Sequence, residues 1–393
     1  MNPRSERVCF EMERTSIPLR PTRLDVRLDR VRENYRAVRR YASGLENVPP
    51  AMLCVLKADG YGLGAVAVAR ALKKEGAGFF CVGTPNEALE LREAGIADPV
   101  LVFGPSIREA FPHHIRHGIR TSIATVEMAT ALSSVASRLR KTAYVHIEVD
   151  TGLGRSGFSP EEAVESTLRI ASLPGVVCEG VFTHFAGADC ADLSEYTERQ
   201  HDDFLAVLRE LQRRGLSIPM RHCCNSAAFL AHPEWGMDGV RTGILLTGHY
   251  PDDVPRDIPL LPAFSFRTKI ALLETLPAGH GVGYGLTYVT TRETRIAVLP
   301  VGYADGFSRA LSNKGDVLVR GRRCPVVGRI SMDQSVADVT EVPGVAAGDE
   351  VVLIGRQGNE EITAYEYARR AQGIVATALT SIGKRVPRVY ENQ

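Results

Sequence analysis

The sequence lacks long apolar segments. Among its 393 residues no run of about 18 apolar residues occurs, which argues against a membrane-spanning helix. Residues 1–22 are rich in charge and contain no apolar core of signal-peptide length. We therefore expect a cytoplasmic protein in which residues 1–22 form an N-terminal leader.

An excess of one charge is also lacking. The chain carries 47 basic and 46 acidic side chains, and its net charge at pH 7 is +1. Proteins that bind nucleic acids or membrane surfaces usually have a strongly basic region, so we expect a small-molecule partner, no nucleic acid and no membrane. The eight cysteines show no paired metal-ligand spacing, which predicts no metal site, and most lie in apolar runs, as free thiols in a reducing compartment do.

What the sequence does contain is an alternation of short β-branched runs and segments with helical apolar spacing, from about residue 51 to about residue 246. Strands that alternate with helices indicate parallel βα units, and eight such units form a (β/α)8 TIM barrel. The predicted strands are 51–56, 78–82, 99–103, 118–124, 143–149, 176–183, 219–223 and 238–245, and predicted helices include 65–74, 85–94 and 193–214.

The pattern changes after the proline-rich segment 251–262. Short strands with turn signals follow, and helical spacing returns only at 364–372. A single core stops growing near ~250–300 residues, so a chain of this length is expected to divide. We predict an α/β barrel domain over 23–255, with a half-buried strand at 24–29, and a mostly β domain over 256–393.

Unusual polar residues stand at the carboxyl ends of predicted strands or in the turns that follow. Active sites of barrels collect at this face, so the strand pattern places these residues in one mouth. A lysine in a dry pocket has a lowered pKa and serves as a nucleophile or a proton-transfer base. The residues are Lys57, Arg155 within 150–155, His184, Asn225, Ser226 and Arg241.

Several of these residues also have a purely structural interpretation. His184 fits a core histidine and Arg155 a solvated loop cation, while Asn225 before an apolar helix is first of all an N-cap. Capping does not exclude anion binding, because the N–H groups at a helix start and the Ser226 hydroxyl all donate hydrogen bonds. The residues alone leave both interpretations open.

The segment VLKADGYGLG at 55–64 resembles the pyridoxal-phosphate lysine motif of the alanine racemase family, whose members are fold type III amino-acid racemases. The resemblance runs from 20–35 to RVPR at 385–388, and it implies that the strand at 24–29 pairs with the C-terminal domain. By similarity, Lys57 binds pyridoxal phosphate covalently, and Arg241 faces the pyridine nitrogen with His184 behind it. The resemblance implies that the remaining cofactor-binding residues are Asn225 and, at the phosphate, Tyr61, Ser226, Gly243 and Ile244.

The predicted second domain contains three further matches to the family. GVGYGLTY at 281–288 resembles the segment that carries the catalytic tyrosine, at Tyr284. VGYADG at 301–306 places Tyr303 at the substrate entrance, and GRISMDQ at 328–334 places Met332 and Asp333 near the substrate carboxylate. In the family these segments come from the partner subunit, so the resemblance implies a homodimer with composite active sites.

The resemblance also implies a mechanism. Inverting an α-carbon needs proton transfer on both of its faces, and Lys57 and Tyr284 would be the two bases. Arg155 would assist catalysis and bind the substrate, and Asp333 would belong to the catalytic set. The implied activity is interconversion of L-alanine and D-alanine, which supplies D-alanine for peptidoglycan.

Two positions depart from the family pattern. Glu148 stands where the family often has a carbamylated lysine, so we expect the glutamate to supply that carboxylate directly. Ala376 stands where a tyrosine usually lies near the phosphate and the substrate side chain. A roomier pocket would discriminate less, by about 1–3 kcal/mol per methylene-sized change. Serine, or a broader set of amino acids, is therefore the alternative substrate.

Two other functions compete with racemisation. A pyridoxal-phosphate decarboxylase of the same architecture normally has a Gly-Gly-Gly phosphate loop, which this sequence lacks, and the decarboxylase-like 190–192 lies in the barrel. A non-catalytic pyridoxal-phosphate carrier would be a single barrel. Racemisation is therefore the leading prediction.

Overall fold

A computed structural model describes residues 20–44 and 50–392. The leader predicted for residues 1–22 lies almost entirely outside this part of the chain. The protein divides into two compact units. The barrel unit consists of Leu24–Ser265, Thr363–Gly383 and Arg388–Gln393, and the β unit consists of Phe266–Ile362, Lys384–Pro387 and the described part of Met1–Arg23. The domain boundary at residue 255 stays a prediction.

Eight parallel strands form a nearly closed TIM-like barrel, as predicted. After β1 (Arg23–Arg27) they are β2 (Ala51–Val55), β3 (Phe80–Val82), β4 (Val100–Val102), β5 (Arg120–Ile123), β6 (Ala143–Glu148), β7 (Val176–Phe182), β8 (Met220–His222) and β9 (Gly239–Thr242). Their order in the sheet is β8-β7-β6-β5-β4-β3-β2-β9. The N–H of Arg241 donates to the carbonyl of Cys224 at 3.0 Å and brings the segments after β8 and in β9 together. Inward-facing apolar side chains such as Leu53, Cys81 and Leu101 fill the interior.

The helices of the barrel unit surround these strands. They are α1 (Leu28–Ser43), α2 (Lys57–Tyr61), α3 (Ala65–Lys73), α4 (Pro85–Glu93), α5 (Phe111–Arg116), α6 (Val126–Leu139), α7 (Pro160–Ala171), α8 (Ser194–Arg213), α9 (Ser226–Ala231), α10 (Ala364–Arg370) and α11 (Val375–Thr380). The start of α4 shows how the sequence fixes a boundary, because Thr84 and Glu87 form a reciprocal capping box around Pro85. No helix in the described ranges is both long and apolar enough to span a membrane.

The β unit contains short, mostly antiparallel strands, as predicted for this part of the chain. From its start onward the strands are β10 (Phe264–Lys269), β11 (Leu272–Leu276), β12 (Gly281–Val282), β13 (Tyr288–Val289), β14 (Thr294–Leu299), β15 (Asp316–Val319), β16 (Arg322–Pro325), β17 (Ser335–Asp338), β18 (Glu350–Gln357) and β19 (Glu360–Ile362). Residues 264–276 contain two strands rather than one. The N–H of Ile270 donates to the carbonyl of Asp349 and that of Ala271 to the carbonyl of Val298, so the chain passes from one sheet to another. The last strand, β20 (Arg388–Glu391), pairs in parallel with β1 and belongs to the barrel unit.

A buried carboxylate organises one end of the β unit. Asp305 is fully buried and accepts hydrogen bonds from Arg20 at 2.5 and 2.6 Å and from Arg385 at 2.6 Å. The N–H of Gly302 donates to the same carboxylate at 2.9 Å. Burial acts to raise the pKa of Asp305, but these donors outweigh it and the pKa is lowered.

We expect Asp305→Asn to lower the free energy of unfolding by about 1.5–3 kcal/mol, the usual range for hydrogen bonds to a charged group. Because the folded-state pKa is depressed, this stabilisation is complete above the unfolded-state pKa of about 3.9 and is lost as the pH falls through the folded-state value. Urea unfolding at a series of acidic pH values measures the effect, with the exposed Asp192→Asn as control. Equal pH dependence in the parent and in Asp305→Asn would contradict this role.

Candidate active site

The carboxyl ends of the barrel strands surround a cavity of about 510 Å³. This volume suits a small ligand with an attached substrate. All nine site residues predicted in the barrel line it: Lys57, Tyr61, Arg155, His184, Asn225, Ser226, Arg241, Gly243 and Ile244. Six of them were predicted at this face from the strand pattern, and Tyr61, Gly243 and Ile244 from the family resemblance. The chemical roles of all nine stay predictions.

Lys57 stands at the end of β2, at the first position of an unusual turn. Ala58, Asp59, Gly60 and Tyr61 all have positive φ, between 53° and 64°, so α2 is a left-handed turn. Left-handed backbone costs about 1–2 kcal/mol for each residue that is not glycine, so the surroundings must hold it. Glu87 accepts from the N–H of Ala58 at 2.6 Å, and Asp59 accepts from the N–H of Ala65 at 2.8 Å.

Lys57 is solvent-exposed where it opens into the cavity, but protein atoms and positive charge lie close to its amine. Burial lowers its pKa, and Arg155 and Arg241 lower it further, while Glu87 opposes them. An amine with a lowered pKa is uncharged more often at neutral pH. This is the condition for a nucleophile or a general base.

Arg241 is buried and its two Nη groups are fully occupied by the protein. Nη1 donates to the carbonyl and to Nδ1 of His222 at 2.8 and 3.0 Å. Nη2 donates to the carbonyls of Thr183 and Cys223 at 2.9 and 2.8 Å and to Nδ1 of His184 at 3.2 Å. Within residues 20–44 and 50–392 no acceptor is bound to Nε, so Nε is the donor that remains for a cavity ligand.

His184 is neutral. Its pKa lies well below the usual range because of burial and the nearby charges of Arg241, Arg155 and Lys57. Since its Nδ1 accepts from Arg241, its proton is on Nε2. The sequence left open whether His184 is a core histidine or a site residue. In the structure it is half-buried and also contacts the cavity.

One end of the cavity is lined by hydrogen-bond donors. The Ser226 hydroxyl lies 3.3 Å from the N–H of Gly243, and Tyr61 packs so closely on Gly243 that a Cβ there would overlap its ring. Burial raises the pKa of Tyr61 to about 12, so its phenol stays a donor at neutral pH. Asn225 caps α9, with Oδ1 accepting from the N–H of Ala228 at 2.9 Å, which confirms the predicted N-cap. This set of donors suits an anion.

Arg155 lies on a turn that a single carboxylate holds. Asp150 accepts from four successive backbone N–H groups, those of residues 152–155, at 2.8–3.1 Å. Burial acts to raise the pKa of Asp150, but these N–H groups outweigh it and the pKa is lowered. Glu148 is buried beside the turn, accepts from Ser156 at 2.9 Å and from Ser122 at 3.4 Å, and has a pKa raised by burial.

The remaining predicted residues lie in the β unit and do not line this cavity: Tyr284, Tyr303, Met332 and Asp333. Backbone hydrogen bonds of 3.0 Å from Tyr303 to Ser331 and from Ala304 to Met332 join two of their segments. A Cβ at Gly302 would collide with the carbonyls of Ser331 and Met332, so this close approach requires glycine. The side chains of Tyr284, Met332 and Tyr303 are 69%, 53% and 42% exposed.

Sequence reasoning missed several residues that line or support the cavity. The segment 250–252 lines it, although its proline-rich surroundings suggested only a domain boundary. Phe103 and Phe182, which also line it, look like ordinary strand residues in the sequence. For Glu87 the capping-box spacing from Thr84 was a usable signal, because the same carboxylate binds the N–H after Lys57.

Two family models match most of the chain. Residues 26–251 match the alanine racemase N-terminal domain, and residues 263–390 match the alanine racemase C-terminal domain. The chain belongs to the alanine racemase family. Membership in the alanine racemase family confirms the predicted resemblance and places the protein among the isomerases.

Similar proteins extend over nearly the whole chain. The alanine racemase of Halothermothrix orenii is 42% identical over 375 residues, which are 95% of this chain and 98% of that protein. The structure of an alanine racemase of Clostridium difficile 630 has a TM-score of 0.89 and 37% identity, and the match covers 94% of this chain and 96% of that one. A histidine racemase from Leuconostoc mesenteroides has a TM-score of 0.87 and 27% identity, with coverage of 96% and 99%.

Proposed function

We propose that this protein racemises alanine with pyridoxal phosphate in the cavity and with Lys57 and Tyr284 as the two proton-transfer groups. One observation carries the proposal: an amine of lowered pKa, a buried arginine with one donor left and an anion-binding set of donors meet in a single cavity. Membership in the alanine racemase family supports it.

The residues of the cavity fit pyridoxal phosphate. Ser226, Tyr61 and the backbone at Gly243 and Ile244 would hold the phosphate, and the close approach of Tyr61 to Gly243 forms the cradle. Nε of Arg241 would donate to the pyridine nitrogen, with His184 and Asn225 supporting the site. When bound, pyridoxal phosphate supplies an electron sink that acidifies the substrate's α-proton.

The chain's own residues would then bind the substrate and move the proton. Lys57 removes or delivers the α-proton on one face, and its lowered pKa favours the uncharged form that a base requires. Arg155, on its fixed turn, binds the substrate carboxylate. Arg241 cannot give up its proton, so it would donate a hydrogen bond to the pyridine nitrogen without protonating it. By keeping that nitrogen unprotonated, Arg241 would limit side reactions and favour return of a proton to the α-carbon.

Tyr284 would serve the opposite face from the partner subunit of a homodimer. Its exposure, together with that of Met332 and Tyr303, supports this arrangement, because large apolar side chains grouped on a surface commonly mark an interface. Tyr303 and Met332 would border the substrate, and Asp333, which accepts from Arg385 at 2.6 Å, would complete the catalytic set. We further propose a cytoplasmic location and a role in supplying D-alanine to peptidoglycan.

A broader substrate range is the second candidate. Ala376 lines the cavity together with Ile374 and Val375, so this part of the wall is built from small and aliphatic side chains. The structural similarity to a histidine racemase supports this alternative, since that fold admits a larger substrate. No observation favours a decarboxylase.

Incubation with pyridoxal phosphate and single L-amino acids in deuterated water tests the function. We expect α-deuterium in both enantiomers of alanine and no release of carbon dioxide. The protein should show a band near ~420 nm, and borohydride should attach the cofactor to the peptide that contains Lys57. Lys57→Ala should abolish the band and racemisation. Carbon dioxide release would support the decarboxylase instead, and a covalent chromophore in Lys57→Ala would contradict the lysine assignment.

We expect Tyr284→Phe to reduce racemisation by roughly 10²–10⁴-fold, the usual contribution of one positioned acid or base. Cofactor attachment should be unchanged, because the phenol lies outside the barrel cavity. Steady-state rates in both directions and α-proton exchange measure this, and exchange from the face served by Lys57 should be preferentially spared. Tyr288→Phe, a nearby tyrosine of the same unit, is the control. A rate within about threefold of the parent would rule out the two-base assignment.

We expect serine to be processed within about tenfold of alanine, because Ala376 lines the cavity with a small side chain that would leave space for a larger substrate. Ala376→Tyr should fill that space and shift the ratio of kcat/KM toward alanine. It should also tighten cofactor binding, since a phosphate hydrogen bond contributes about 0.5–1.5 kcal/mol. An unchanged ratio in a folded, cofactor-loaded variant would place substrate selection elsewhere.

A further inference from the structure

A chain of polar side chains runs through the barrel interior behind Arg241. His222 accepts from Arg241 through Nδ1 at 3.0 Å, and its Nε2 lies 2.9 Å from Nδ1 of His146. Nε2 of His146 lies 3.3 Å from Glu179, whose carboxylate is held at 2.9 and 3.0 Å by Arg120. Both histidines are completely buried. None of these four residues behind Arg241 lines the cavity.

We call the chain from Arg241 through His222 and His146 to Glu179 the relay. The groups at its two ends, a guanidinium and a carboxylate, determine the position of each imidazole proton. Arg241 can only donate, so Nδ1 of His222 must accept and its proton must be on Nε2. That proton is donated to Nδ1 of His146, which places the proton of His146 on Nε2, facing the carboxylate of Glu179. If His146 were doubly protonated, its Nδ1 would donate to Nε2 of His222 instead of accepting from it. The proton of His222 would then be on Nδ1, where it would face the donor Nη1 of Arg241. The geometry therefore requires two neutral Nε2–H imidazoles.

The backbone is specially shaped to admit this relay. In the pairing of β6 with β7, Val145 faces Cys178 and His146 faces Gly180, so Glu179 is the extra residue of a bulge. Bulges re-aim side chains next to functional sites. A Cβ at Gly180 would overlap the ring of His146, so glycine is required there. The ring of Phe182 stacks on His222 at 5.0 Å and holds its plane.

We propose that Glu179 is a positioning residue for Arg241, acting through His146 and His222 to fix the orientation and charge of the guanidinium at the cavity wall. The acceptors bound to Arg241 in the described chain are three carbonyls and two imidazoles and include no carboxylate. The carboxylate of Glu148 acts on Arg241 through space but forms no hydrogen bond with it. A buried charge without a hydrogen-bonded counter-ion is costly, and the chain of histidines connects Arg241 to the carboxylate of Glu179. The consequence for the cofactor rests on the proposed function.

The protonation equilibria agree with this arrangement. Burial lowers the pKa of His146, and burial together with Arg241 and His146 lowers that of His222, so both are neutral at neutral pH. Burial acts to raise the pKa of Glu179, but the bonds from His146 and Arg120 bring it to about 2. Glu179 is thus ionised and can act as the terminal acceptor.

Nitrogen-15 NMR of the holoenzyme with labelled histidine tests the relay directly. We expect both histidines to be protonated at Nε2 alone near neutral pH, with scalar coupling across the bond from Nε2 of His222 to Nδ1 of His146. His146→Gln and His222→Gln assign the signals. If either fails to fold, Phe79→Leu shifts the His146 signals instead, since the two rings lie 5.9 Å apart. An Nδ1–H tautomer or an imidazolium at either position would overturn the proposal.

Glu179→Gln tests the positioning role, because an amide accepts more weakly than a carboxylate. The Nε2–H resonance should move in His146 and also in His222, which does not touch residue 179. A merely structural role would leave His222 unchanged. In the racemisation assay kcat should fall roughly threefold to thirtyfold, the range for coupling along such networks, with KM changed less than about twofold.

Glu75→Gln is the matched control, because Glu75 forms a similar two-bond pair with Arg36 on the surface. It should alter neither the histidine signals nor kcat. An unshifted His222 resonance in folded Glu179→Gln would overturn the proposal even if the protein racemises alanine. If instead the relay behaves as expected and no racemisation occurs, only the proposed function fails. If Glu179→Gln does not fold, the tautomers of His146 and His222 measured in the parent protein decide whether the proposal stands.

Discussion

The site depends on one buried guanidinium. The Nη groups of Arg241 bind the carbonyls that follow β7 and β8 and the rings of His184 and His222, so the side chain joins neighbouring barrel strands at their carboxyl ends. Burying a charge this way is costly unless every donor is satisfied. The arrangement of acceptors leaves Nε for a ligand, and it also adds to the positive charge that lowers the pKa of Lys57.

The second constraint is the strained turn after Lys57. A left-handed run of residues persists only where its surroundings over-determine it. Here Glu87 of α4 accepts from the N–H of Ala58 in the turn, and Asp59 of the turn itself accepts from the N–H of Ala65 that follows it. Because of this backbone conformation, Lys57 and Tyr61 line the same cavity although they are four residues apart in the sequence. Gly62 and Gly64 complete the turn with positive φ, which glycine adopts at no steric cost.

Most of the barrel could be predicted from the sequence, because short apolar runs such as those of β2, β3 and β4 alternate with segments of helical spacing. The strand ends were predicted within a few residues, and this was enough to bring Lys57, His184 and Arg241 to one mouth. The break between β10 and β11 was not predicted. Apolar alternation persists across the point where the chain changes sheets, so periodicity alone does not reveal the break. Tyr284 was predicted as a site residue from the family motif, but its exposure and its place in the β unit come only from the structure.

Local pattern by itself determined the secondary structure, the face of the barrel that holds the site and the capping of α9 by Asn225, because these depend on residues a few positions apart. Tertiary structure alone decided the relay behind Arg241. Its members are separated along the chain by tens of residues, and in the sequence Glu179 looks like a surface carboxylate while His146 and His222 look like isolated strand residues. A bulge and a glycine without a side chain bring them together, and the direction of their hydrogen bonds follows from which groups can only donate and which can only accept.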